Sequence, residues 1–146
     1  MPSDRSTQAD KKQAPTTIAL TPVADNRGRL LPVDFSSLPF EPRRIFLVSD
    51  VPVGHIRGGH GHHTGHQLLI AVQGEIDVVT RGSSGAEALY SLRPGTVALH
   101  LPPEYIAWQK YLSESASLLV LTSNSYDPAD YFYSDLALPD SAWDRT

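Results

Sequence analysis

The chain has 146 residues, a formal net charge of −4 and no cysteine, which describes one domain with room for a core and excludes disulfides and thiol chemistry. An acidic balance without a Lys/Arg block argues against nucleic acid as a partner. No apolar run approaches the length needed to cross a bilayer, and polar residues 3–17 lack the apolar stretch of a secretory signal, so the expectation is a cytoplasmic protein with no membrane partner.

In chain order, residues 1–15 are rich in polar and charged side chains and are predicted to form a disordered arm. Residues 16–146 are then the single domain. A short apolar run at 17–20 predicts a first strand. A turn at 25–28 leads into a second strand over 29–33, and 45–48 is a continuous β-branched and aromatic run. Residues 67–73 read as a buried strand ending at Gly74, and 75–80 alternate polar and apolar, the pattern of a half-buried strand. A hairpin turn at 81–85 and a Pro-Gly turn at 93–95 flank a strand at 88–90. Further strands fall at 97–101, 107–111 and 117–122, with Pro102-Pro103 between the first two. Only the tail, 127–136, has the look of a helical turn or two, opening on Asp127-Pro128. Many short strands with Gly and Pro turns between them predict an all-β sandwich or barrel.

The most specific feature is a histidine cluster: five of the six histidines lie between His55 and His66. Imidazole titrates near neutral pH and ligates metals, so such clusters serve proton transfer or metal binding. His60 and His62, two residues apart, share a face in an extended strand. His60, His62 and His66 also follow a His-x-His-x3-His spacing that could hold Fe, Ni or Zn. His55, His63 and His66 otherwise read as bystanders and His100 as structural. Trp108 and Tyr111 read as barrel lining, and residues 126–133 as packing or dimer contact.

The spacing Gly54-x5-His60-x-His62-x4-Gln67-x6-Gly74 resembles the first cupin motif. Arg57-Gly58-Gly59-His60-Gly61-His62 followed by Gln67 is similar to the signature of the WxcM-like sugar-nucleotide 3,4-ketoisomerases. Arg27-Gly28-Arg29-Leu30, residues 44–50, and Ser-x-x-Tyr-Asp-x-x-Asp-Tyr in residues 123–131 also match that family's pattern. The resemblance spans about 18–133 and implies an antiparallel jelly-roll barrel with a short C-terminal helical or extended tail. It further implies a homodimer, a dTDP-linked keto-deoxysugar substrate and no cofactor.

The implied reaction moves the carbonyl of dTDP-4-oxo-6-deoxyglucose from C4 to C3 through an enediol. The resemblance makes His62 the base at C3 and His60 the group serving the oxygens. Arg27 and Arg57 would bind the diphosphate, since guanidinium forks suit it. Gln67, Phe46, Tyr105 and Trp108 would complete the substrate contacts. Two departures stand out. Phe46 and Leu47 occupy the strand where the family carries tyrosine, and Ile106 stands where it has a histidine. Two other functions fit the residues: a metal-dependent cupin using His60, His62 and His66, and a cupin that binds a sugar nucleotide without turnover.

Overall fold

The computed structural model describes residues 13–145, so most of the predicted N-terminal arm lies outside the described residues. The chain folds into a jelly roll of two five-stranded antiparallel sheets. The first contains β1 (Thr16–Ala19), β9 (Val97–Leu101), β6 (Gln67–Gln73), β11 (Ser117–Thr122) and β4 (Arg44–Val48), in that spatial order. The second contains β12 (Tyr131–Tyr133), β5 (Ile56–His62), β10 (Ile106–Tyr111), β7 (Ile76–Arg81) and β8 (Glu87–Leu92). A separate hairpin joins β2 (Val23–Asp25) to β3 (Gly28–Leu30).

Alternation of side chains along each strand builds the core. Leu69, Leu99, Leu101, Leu118 and Val120 of the first sheet meet Ile76, Val78, Leu92, Ala107 and Tyr111 of the second. On the far face of the first sheet, Leu68, Ile70, Ala98 and Leu121 are covered by Leu20, Leu31, Val33, Leu38 and Phe40. With both faces covered, β6 is apolar throughout residues 68–71, as its sequence predicts.

Two expectations are corrected, and a third, a short helical or extended tail opening on Asp127-Pro128, is met. Residues 76–80 are buried on both faces instead of half-buried. The C-terminal segment packs over them, and Arg145 bonds Asp77 at 2.8 and 2.9 Å while Ser91 donates to the same carboxylate at 3.0 Å. The strand expected over 29–33 stops at Leu30, ahead of Pro32, which has no N–H for a ladder. The tail makes one 3-10 turn, Pro128–Asp130, capped by the Asp127 carboxylate on Ala129 N at 3.0 Å. It then becomes β12, which pairs with β5. No helix among the described residues is long and apolar enough to cross a membrane.

Candidate active site

The site is built on β5. In an unbroken strand Arg57 and His60, three apart, would face opposite sides. A bulge removes that conflict: His60 pairs with Ala107 and Gly58 with Trp108, leaving Gly59 as the extra residue. Such a bulge re-aims side chains. Gly58 and Gly59 adopt φ of +94° and +84°, conformations that glycine alone reaches easily. Space is also short, because a Cβ on Gly58 would lie 2.5 Å from the Ala107 carbonyl oxygen. The double glycine thus sets Arg57 and His60 on one interior wall.

A cavity of about 90 Å³ lies between the sheets. Arg57, His60, Gln67, Gln109, Tyr111 and Phe46 line it. A smaller cleft adjoins it through Gln67 and is bordered by Arg44, His62, Tyr126, Asp130 and Tyr131. Arg44 stacks its guanidinium over Phe46 and Tyr126, at 5.1 and 5.3 Å from the ring centres.

The two imidazoles differ in their partners. His62 Nε2 lies 3.1 Å from Gln67 Nε2 and its Nδ1 lies 3.6 Å from Asp130 Oδ2. An amide nitrogen only donates, so His62 Nε2 accepts and the proton sits on Nδ1, facing the carboxylate. The His60 ring lines the interior cavity, and as a neutral imidazole it keeps one ring nitrogen as an acceptor. Tyr131 packs against both rings, with centroid distances of 4.9 Å to His60 and 4.5 Å to His62.

Burial holds the His60 pKa below the ordinary imidazole value, against the Gly58 hydrogen bond. Burial and the neighbouring His60 do the same for His62, and Asp130 opposes them. Burial works to raise the Asp130 carboxyl, but donors from Thr64 and Gly65 together with His62 outweigh it and hold that carboxyl low. Thr64 N and Oγ1 each donate to Asp130 at 2.9 Å, and Gly65 N at 3.1 Å. Near neutrality the site therefore presents two uncharged imidazoles and one carboxylate.

Of the residues singled out from sequence, Arg57, His60, His62, Gln67 and Phe46 come together. Others stand elsewhere. Arg27 projects from the β2–β3 hairpin with its side chain 86% exposed and ion-paired to Asp25 at 2.6 Å. The Tyr105 ring lies against Gly82 in the β7–β8 turn. Trp108 faces the outside of its sheet beneath Arg81, 4.9 Å from the ring centre. Spacing explains this last error: Trp108 and Tyr111, three apart on one strand, lie on opposite faces, and only Tyr111 joins the core.

His66 is not gathered with His60 and His62 into a three-histidine set. Its Nδ1 meets His100 Nε2 at 3.0 Å on the outer face of the first sheet, beside Phe40. Among the described residues no group of three or more His, Cys, Asp or Glu is placed to hold a metal ion. Ile106 faces an outer cleft with Phe132 and Leu136. The inward residue beside His60 is Ala107.

Asp130, Tyr131, Gln109 and Tyr111 were missed as site residues. The signal for the first two was present in the tail motif, but only the pairing of β12 beside β5, with Tyr131 opposite His62, makes that motif part of the site.

Residues 13–137 match the family model FdtA, described as WxcM-like, C-terminal. The chain is 26% identical over 110 residues to the TDP-4-oxo-6-deoxy-α-D-glucose-3,4-oxoisomerase of Aneurinibacillus thermoaerophilus, covering 75% of this chain and 78% of that protein. It superposes on QdtA, a sugar 3,4-ketoisomerase from Thermoanaerobacterium thermosaccharolyticum solved with TDP, with a TM-score of 0.78, 28% identity and coverage of 83% and 88%. The WlaRB TDP-quinovose 3,4-ketoisomerase of Campylobacter jejuni gives a TM-score of 0.75 at 28% identity, covering 82% and 92%.

Proposed function

The chain belongs to the FdtA family of WxcM-like C-terminal domains, and from that membership we propose that it is a TDP-sugar 3,4-ketoisomerase of deoxysugar biosynthesis. The observation that carries the reading is the pair of neutral imidazoles, one opening onto the interior cavity and one fixed by Gln67 and Asp130 beside it.

The proposed steps follow from the protonation states. The acceptor nitrogen of His60 takes the proton from C3 of the 4-keto sugar. The C3–H electrons become the C3–C4 double bond and the C4 oxygen becomes an enediolate oxygen. The C3 hydroxyl proton passes by way of His62 to the C4 oxygen, the C3 oxygen becomes the carbonyl, and the proton held on His60 is delivered to C4, with no net oxidation. Hence no metal or redox cofactor is required in principle. His62, its Nδ1–H facing Asp130, exchanges its Gln67 bond for the sugar oxygens and relays protons between them. This division, the reverse of the roles that the resemblance alone implies, is supported by the place of His60 on the cavity wall and by the engagement of His62 with Gln67 and Asp130. A positioned acid–base group of this kind is worth roughly 10²–10⁴ in rate.

Arg57, exposed at the cavity rim, is the group proposed for the diphosphate. Phe46 forms an apolar wall for the sugar. We place the enzyme in the cytoplasm and as a homodimer, the latter argued below from an exposed strip.

The test is incubation with TDP-4-oxo-6-deoxyglucose in D2O followed by proton NMR. Loss of the C3 proton signal and growth of a 3-keto product are expected, both abolished in His60→Asn. Tight TDP binding with no exchange at the sugar would instead mark a non-catalytic binding protein.

A further inference from the structure

Tyr111 is wholly buried, and its hydroxyl finds no hydrogen-bond partner among the described residues. Buried hydroxyls are almost always bonded, because leaving one unpaired forfeits its interactions with water. This one belongs to a residue in the wall of the same cavity as His60, Gln67 and Arg57. Its strand position explains why. Ala107, Gln109 and Tyr111 are the inward-facing residues of β10, and Ala107 is the partner of His60.

What would enter here follows from the lining. His60, Gln67, Gln109 and Tyr111 present polar groups suited to the oxygens of a sugar ring, and Arg57, exposed at the rim, suits an anionic diphosphate held outside. We propose that the Tyr111 hydroxyl is a substrate-contacting group, donating a hydrogen bond to an oxygen of the keto-hexose that His60 deprotonates. The inference rests on the ketoisomerase reading for the identity of the sugar. Burial pushes the Tyr111 phenol up to about 12, against a smaller opposing effect of Arg57, so it stays protonated and donates throughout the working range. Phe46, reaching the cavity from the opposite sheet, is the other aromatic ring in this wall and carries no hydroxyl.

The experiment compares wild type, Tyr111→Phe and the double variant Tyr111→Phe/Phe46→Tyr. Each is assayed for turnover of TDP-4-oxo-6-deoxyglucose, for binding of that compound and of TDP alone, and for thermal midpoint. Tyr111→Phe is expected to raise KM for the sugar nucleotide about tenfold, the equivalent of 1.4 kcal/mol. TDP affinity should not change, and the midpoint should be equal or higher. Partial recovery in the double variant, which returns a phenol to the same space, would distinguish substrate contact from packing.

Unchanged KM and turnover in Tyr111→Phe would overturn the proposal while leaving the ketoisomerase reading intact. Suppose wild type shows no turnover but prefers the sugar nucleotide over TDP. Loss of that preference in Tyr111→Phe would then uphold the contact and refute the isomerase. No preference in wild type would overturn both.

Discussion

At the scale of single residues, the two imidazoles differ in their surroundings. His62 is engaged by Gln67 and Asp130 while His60 lines the interior cavity, and the roles proposed for them differ accordingly. Both are held below the usual imidazole value, so kcat/KM should stay level as pH falls to the ordinary histidine range and decline only below it. Among the described residues, Asp130 is the group that raises the His62 pKa by charge. Asp130→Asn should therefore move the His62 limb of the profile to lower pH and lower kcat about tenfold, or 1.36 kcal/mol of barrier. A pH–rate series on the two proteins checks both statements. The His66–His100 pair makes a separate prediction about stability. Burial, with His66 adding to it, pulls His100 down to about 4, while in the unfolded chain it titrates near 6.5. A depressed histidine stabilises the fold fully above the unfolded value, and that contribution, of order 3 kcal/mol, is lost as pH falls from about 6.5 through 4. Thermal midpoints measured across that interval should fall, and fall less in His100→Gln.

At the scale of elements, the strands were legible because alternation and turn residues carry them. β6, β9, β10 and β11 lie within a residue of the expected positions. The bulge in β5 was not legible. Arg57 and His60 look mismatched in register until Gly58-Gly59 is seen to absorb one residue. Trp108 was misplaced for the related reason that an aromatic ring in a strand gives no sign of which face is the interior, and Tyr105 because it precedes β10 in a turn whose direction the sequence does not encode. Asp130 and Tyr131 depended on a pairing between chain segments about seventy residues apart, which no local pattern encodes. Gly58→Ala should thus cost far more than a surface change, since its φ is positive and its Cβ would strike the Ala107 carbonyl. The expected result is more than tenfold loss of turnover with a lower midpoint. By contrast Leu69→Ala, in the middle of the core, should cost about 2–5 kcal/mol by opening a cavity, measurable by denaturant unfolding, with TDP affinity of the folded fraction retained.

For the molecule as a whole, the covering of the first sheet is uneven. Residues 20–40 shield β6, β9 and β11, but Ile45 and Leu47 on the edge strand β4 remain 63% and 58% exposed. An apolar edge strand is a surface that proteins seldom leave bare. This is the strip proposed to meet a second copy, and Ile45→Lys/Leu47→Lys should convert a dimer to a monomer in light scattering after size exclusion.

One consequence of the β12–β5 pairing concerns time instead of space. The histidines lie in β5, whereas the carboxylate that steadies His62 and the ring packed on both imidazoles arrive as residues 130 and 131. During synthesis the strands carrying the buried core are made before β12. A product cut short before residue 130 would keep most of the two sheets yet lack the partners that hold the two imidazoles in place.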